Sequence, residues 1–207
     1  MEKFKNKYRI QSHRMPQWDY SGDGIYFITF VTQHRECNLG KIINGEMFLS
    51  DWGNIVNDEW LKSFEIRNEL FCDEYIIMPN HLHAIVVLDN LHDGRGHGQS
   101  QQSQSGFFRK PKSISSFIAG FKSAVNSKID DYIDERYVVV EAHGRAPLRA
   151  FPKYNRNNHF FQPNYHDHIV RNEREYQRIK QYIINNPSEW DMDKINPDKG
   201  ARPCAST

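Results

Sequence analysis

Two apolar segments separated by only two residues constrain this chain most. Phe71-Cys72-Asp73-Glu74-Tyr75-Ile76-Ile77-Met78 and His81-Leu82-His83-Ala84-Ile85-Val86-Val87-Leu88 are rich in β-branched and aromatic residues, and the Pro79-Asn80 between them is turn chemistry. They predict two strands in a tight antiparallel pair. Ile25-Tyr26-Phe27-Ile28-Thr29-Phe30-Val31-Thr32 predicts a further, central strand. Lys41-Ile42-Ile43 and Glu46-Met47-Phe48-Leu49 flank Asn44-Gly45, whose tolerance of positive φ suits a two-residue hairpin turn. Around these strands three helices are expected. Asp51 can cap one that carries Trp52, Ile55, Val56, Trp60 and Phe64 on one face. Ser113 can cap a second, with an apolar stripe from Ile114 to Ile129. Asn172-Glu173-Arg174-Glu175 has the polar cap and the glutamate three residues later of a capping box, opening a helix that stops before Pro187. Tyr137-Val138-Val139-Val140 could add a late strand. The fold class expected is α+β: an antiparallel sheet with its helices packed on one face.

The chain has 207 residues, which suits one domain with appendages. Residues 1–24 read as a basic arm, 25–190 as the domain, 94–106 as a flexible Gly/Ser/Gln-rich loop, 141–158 as an insertion, and 191–207 as a disordered tail. The longest apolar run is five residues, Ala84 to Leu88, so no membrane span is expected, and with no apolar leader the protein should be cytoplasmic. Cys37, Cys72 and Cys204 form no CxxC pair and should be reduced bystanders. Charge is uneven although the net is +1: residues 36–93 carry three basic against eleven acidic side chains, while 94–129 carry six basic ones and no acid. Such a basic stretch either neutralises phosphates or is a solvated linker and helix face.

His81-Leu82-His83 is the sharpest chemical signal. Period-two geometry points both imidazoles to one face, where two neutral rings can grip a divalent metal; two surface histidines are the plain alternative. A second cluster, Asn164-Tyr165-His166-Asp167-His168-Ile169-Val170-Arg171, brings together a possible nucleophile, a further ligand and a cation for phosphate. Its plain alternative is a core tyrosine beside a hydrogen-bonded helix end.

In combination, Tyr75-Ile76-Ile77-Met78-Pro79-Asn80-His81-Leu82-His83-Ala84-Ile85-Val86 and Phe161-Gln162-Pro163-Asn164-Tyr165-His166-Asp167-His168-Ile169-Val170-Arg171 resemble the HUH single-tyrosine transposases, specifically the REP-associated tyrosine transposases. Asp19-Tyr20-Ser21, Phe117-Ile118-Ala119-Gly120-Phe121 and Tyr182-Ile183-Ile184-Asn185-Asn186-Pro187 resemble that group too. The resemblance implies a ferredoxin-like sheet, close to that of RNA-recognition domains, and an enzyme that cleaves and rejoins single-stranded or hairpin, REP-like DNA. It implies Tyr165 as the nucleophile forming a 5′-phosphotyrosine, and His81 and His83 as ligands of Mg²⁺ or Mn²⁺. Relatives often carry a glutamine ligand four residues after the tyrosine; Ile169 stands there, so His168 is taken as the third ligand. Imidazole ligation favours Mn²⁺. DNA contacts are expected from Arg109, Lys110 and Lys112, which sit beside Phe107 and Phe108, from Lys122 and Arg171, and from Arg9 and Arg14 in the arm. The protein could act as a monomer or a homodimer. Two other readings fit the same sheet: a nucleic-acid-binding module without catalysis, and a metal-dependent phosphohydrolase that uses water.

Overall fold

The computed structural model describes residues 18–90, 112–139, 152–155 and 158–197, with the short ladders Lys3–Phe4, Lys7–Tyr8 and Leu148–Arg149. Six strands longer than two residues and three α-helices follow in chain order: β1 (Gly24–Val31), β2 (Gly40–Ile43), β3 (Glu46–Leu49), α1 (Asp51–Glu65), β4 (Leu70–Met78), β5 (His81–Leu88), α2 (Ile114–Tyr137), β6 (His166–Val170) and α3 (Glu173–Asn185). The main sheet is antiparallel in the order β6-β1-β5-β4. Set aside the β2-β3 hairpin, and the chain runs βαββαβ with strand order 4-1-3-2, the ferredoxin-like arrangement. Among the described residues no helix is long and apolar enough to cross a membrane.

Local sequence explains most of the elements. Asn44 (φ 52) and Gly45 (φ 79) both take the left-handed conformation at the β2-β3 turn, as a two-residue hairpin requires. Ser50, one residue before the expected cap, accepts from the Gly53 N–H at 3.1 Å and starts α1. Gly53 is irreplaceable by contact: a Cβ there would lie 2.0 Å from the Leu39 carbonyl oxygen. Ser113 accepts from Ser116 N–H at 3.2 Å at the head of α2, as expected. The expected late strand starts only at Val138, because α2 runs on to Tyr137; Val140 lies outside the described residues. The segment read only as a chemical cluster, residues 166–170, is the fourth strand of the sheet, with Ile169 and Val170 buried.

Helices α1 and α2 pack on one face of the sheet, as expected, and α3 covers the other. Tyr26, Ile28 and Phe30 of β1 and Leu82, Ala84 and Val86 of β5 point toward α1 and α2, where they meet Val56, Trp60, Phe117, Phe121 and Val125. The intervening residues Ile25, Phe27 and Ile85 face the other way and are sealed by Ile179 and Ile183 of α3. Strand β5 is apolar on both sides, so a layer on each side is the arrangement that keeps it dry. A bulge between Cys72 and Glu74 fixes α3 in place. Asp73 there takes a hydrogen bond from the Tyr176 hydroxyl at 2.7 Å and an ion pair from Lys180 at 3.0 Å.

The tail boundary also moves. Trp190–Met192 forms a 3-10 turn and Asn196 is buried, so residues 191–197 pack onto the domain; 198–207 lie outside the described residues. Residues 91–111 and most of 140–157 lie outside them as well, including the predicted loop at 94–106.

Phe30 sits at the centre of the larger core, with ring centroids 5.3 Å from Phe121, 5.9 Å from Phe161 and 6.0 Å from Trp60. Phe30→Ala should therefore cost about 3–5 kcal/mol of unfolding free energy, read as a lower urea midpoint. A loss under about 1 kcal/mol would contradict this packing.

Candidate functional site

His81 and His83 open strand β5 and share the α3 face of the sheet, as alternation predicts, but they are buried where two surface histidines were the alternative: 0% and 3% exposed. Their ring centroids are 4.5 Å apart. Each buried ring has a partner that fixes it. Asn80 donates through its amide to the carbonyls of Arg35 (3.1 Å) and Ile195 (3.0 Å), so its Oδ1 faces His81 and accepts from Nδ1–H at 2.8 Å. The lone pair of His81 is thereby left on Nε2, which is buried and makes no hydrogen bond. His83 Nδ1 lies 2.8 Å from the Thr29 hydroxyl and its Nε2 lies 3.1 Å from the Tyr182 hydroxyl.

Both rings are held neutral. Burial pulls His81 down to about 4, against the pull of the Asp193 carboxylate, and burial with the neighbouring His81 and His166 pulls His83 well below the usual imidazole range. Neutral imidazole is the ligating form. Asp193 completes the group: one ligand atom each from His81, His83 and Asp193 lie within 4.8 Å of one another, all three residues buried. His81 Nε2 stands 3.8 Å from Asp193 Oδ2, too far for a hydrogen bond and open to an ion between them. Asn186 donates to Asp193 Oδ2 at 3.2 Å, and its own Oδ1 is buried without a partner. An imidazole, an amide oxygen and a carboxylate converge here with two acceptor atoms unmet, which suits a divalent cation.

Tyr182 of helix α3 and Asn186, its C-cap residue in αR conformation, are four residues apart and hence on one face. Tyr182 is 41% exposed, so its hydroxyl borders the histidines while the ring edge reaches solvent. Burial, with Asp193 and Glu189 nearby, raises its phenol above the usual value. A cavity of about 750 Å³ opens over these groups, lined by Phe27, Thr29, His83, Tyr182, Asn186 and Asp193 among others.

The structure does not bring Tyr165 to the histidines. Its ring lies 6.2 Å from that of Phe30, on the α1/α2 side of the sheet, because strand alternation gives it the same parity as the core-facing Asp167 and Ile169. His168 shares the α3 face, but its Nε2 meets Glu175 Oε1 at 2.8 Å, and the residue grouped with His81 and His83 is Asp193. Lys122, expected on DNA, instead donates to the carbonyls of Gln162 (2.7 Å) and Asn164 (3.2 Å), and burial pulls its ammonium down to about 8. Arg171 is exposed but follows the far end of β6, roughly 16 Å along the strand from the level of His166. Lys112 is exposed in the turn before α2. Arg9, Arg14, Arg109 and Lys110 lie outside the described residues.

Three site groups were missed in the sequence. Tyr182 and Asn186 gave a signal, a tyrosine and an amide one helical turn apart before Pro187; Asp193 gave none, since it sits in a short turn with no periodicity.

No protein-family model matches the chain. An uncharacterised protein of Haemophilus influenzae (strain ATCC 51907 / DSM 11121 / KW20 / Rd) is 32% identical over 190 residues, covering 91% of this chain and 93% of that protein. The chain belongs to the same family as this Haemophilus protein. Among solved structures, a REP-associated tyrosine transposase bound to a REP hairpin is similar over 89% of this chain and 77% of that one, with a TM-score of 0.52 and 15% identity. The chain thus has the fold of the group that its sequence motifs resemble.

We expect Mn²⁺ titrated into the protein to bind at one site. His81→Ala and Asp193→Asn should each weaken that binding roughly tenfold or more in calorimetry, and His168→Ala should leave it unchanged. Equal loss in all three variants would show that the ligand set is different.

Proposed function

We propose that this protein is a metal-dependent DNA strand transferase of the REP-associated tyrosine transposase kind, cutting and rejoining single-stranded or hairpin DNA with Tyr182 as its nucleophile. The observation that carries the reading is the Tyr182 hydroxyl 3.1 Å from His83 Nε2, in the cavity that also holds Asp193 and Asn186. The transposase that shares this fold is bound to a REP hairpin, which supports a DNA hairpin as the partner here.

His81, His83 and Asp193 would hold the cation, with Asn186 Oδ1 as a fourth donor. That assignment restores the spacing which Ile169 broke, since Asn186 is four residues after Tyr182 and is an amide, like the glutamine of relatives. When bound, a divalent ion polarises the scissile phosphate. The phenol oxygen attacks phosphorus, the bond to the 3′-oxygen breaks, and a 5′-phosphotyrosine and a free 3′-hydroxyl result. Neutral His83 has a single ring lone pair, and with the proton on Nδ1 its Nε2 would serve either the phenol or the ion. With an ion held, the phenol proton passes to solvent and the leaving 3′-oxygen regains one there. The reverse attack by a 3′-hydroxyl needs no co-reactant, so cutting and rejoining use one site. Arg9, Arg14, Arg109, Lys110 and Lys112 remain the proposed phosphate contacts of the flanking strand.

A phosphohydrolase using water would need no tyrosine at this position, and an RNA-recognition-type module would need no neutral histidine pair. Tyr182→Phe should abolish the denaturation-resistant protein–DNA species and leave hairpin affinity within about threefold, whereas Tyr165→Phe should keep the adduct. An adduct that survives Tyr182→Phe and is lost with Tyr165→Phe would return the role to Tyr165.

A further inference from the structure

Arg178, Tyr182 and Asn186 follow one another along α3 at four-residue spacing, each a helical turn and about 6 Å of rise from the next. All three border the cavity of about 750 Å³ that opens over the histidines. Asn186 reaches Asp193, and Arg178 stands a turn from Tyr182 in the opposite direction along the helix. The rotation that turns this stripe to the cavity is fixed. Ile179 and Ile183 are pressed on the sheet, and Tyr176 and Lys180 are tied to Asp73.

The neighbouring cations are placed or committed elsewhere. Lys180 pairs with Asp73 at 3.0 Å, Arg171 borders a different cavity at the far end of β6, and Arg174 borders neither. Of the described residues that line the larger cavity, Arg178 and Lys194 carry a permanent positive charge, and Lys194 follows directly on Asp193. Arg178 is exposed, and among the described residues no hydrogen bond or ion pair occupies its guanidinium. Glu175, a turn earlier, does not take it up. That carboxylate already accepts from the Arg171 N–H at 3.0 Å and meets His168 Nε2 at 2.8 Å, and these bonds, more than the charge of Arg178, hold it below the usual carboxylate range.

We propose that Arg178 is a catalytic residue whose guanidinium holds the scissile phosphate on the side of Tyr182 away from the histidine group. The proposal rests on the strand-transfer reading above and adds a phosphate clamp to it. As the phenol oxygen bonds to phosphorus and the bond to the 3′-oxygen breaks, negative charge grows on the non-bridging oxygens. His81, His83 and Asp193 gather on one side of the hydroxyl, so an oxygen turned from them needs a separate cation. Arginine suits that position. Its planar fork matches phosphate oxygens, and it keeps its charge throughout, so it gives up no proton during cutting or rejoining.

The test uses the full-length protein with Mn²⁺ and hairpin oligonucleotides in which one flank phosphate at a time is a methylphosphonate, a methyl group replacing one charged oxygen. Affinity and the rate of adduct formation at saturating DNA are measured for the wild type, Arg178→Gln and Arg174→Gln. On the unmodified strand Arg178→Gln should slow adduct formation about 10²–10³-fold and Arg174→Gln less than about threefold. With the methylphosphonate at the tyrosine-linked position the charge to be neutralised is gone, and the Arg178→Gln deficit should fall below about threefold. Such rescue also reports that the variant is folded. A deficit of equal size with and without that charge, or rescue by a methylphosphonate at another position, would overturn the assignment. Affinity separates the two ideas. If the wild type forms no adduct, the strand-transfer reading fails. The clamp then stands if one methylphosphonate weakens wild-type binding and leaves Arg178→Gln unaffected, and falls if the two profiles coincide.

Discussion

Two imidazoles buried at the head of a central strand need partners, and much of the lower half of the molecule is organised to supply them. An unpaired buried ring nitrogen costs on the order of 1–3 kcal/mol, so His81 and His83 can sit at 0% and 3% exposure only inside a fixed polar shell. Asn80 and Thr29 meet the Nδ1 atoms, and the Tyr182 hydroxyl meets one Nε2. Asn80 also reaches the carbonyls of Arg35 and Ile195, so one amide links the turn after β1 to the segment after α3. The atom left unmet, His81 Nε2, is the one aimed at Asp193. The shell leaves a gap between donor atoms of His81, His83 and Asp193 that a cation could fill.

Helix α3 is the element that brings a tyrosine hydroxyl to this shell. Its apolar stripe, Ile179 and Ile183, seals the second face of β5, and its N-terminal half is held by the Asp73 bulge through Tyr176 and Lys180. Those contacts set the rotation of the helix, and the rotation puts Tyr182 and Asn186 toward the histidines. Its start is equally fixed: Asn172 Oδ1 accepts from Glu175 N–H at 2.9 Å, while Glu175 reaches back to the Arg171 N–H and to His168. His168 thus serves the helix cap, and a residue expected to bind metal helps instead to position the helix that carries the hydroxyl.

How much of this was legible in the sequence divides along physical lines. Strands β1, β4 and β5, the Asn44-Gly45 turn and the helix stripes were readable, because hydrophobic period and turn chemistry are local. The histidine pair was readable for the same reason. Strand β6 was not, since five residues with His166, Asp167 and His168 in the lead look polar until Thr29, Ile28 and Phe27 are set beside them. With that strand unseen, the placement of Tyr165 was not legible either: it borders β6 and packs on the core beside Phe30, away from the histidines. Asp193 depends on the chain returning across the sheet after Pro187, a tertiary event that no local pattern encodes. Lys122 shows the limit of charge counting, because a cation's partner is decided by what folds beside it.

The central claim, that Tyr182 beside the histidine pair is the reacting group, is tested most directly by locating the DNA on the protein. After incubation with hairpin DNA and Mn²⁺, the adduct would be digested with nuclease and trypsin and its nucleotide-bearing peptide sequenced by mass spectrometry. The account predicts the tag on Gln181–Lys194, the tryptic peptide that holds Tyr182, and its disappearance when a chelator is present. A tag on Asn157–Arg171, which holds Tyr165, or one formed equally well under chelation, would contradict it.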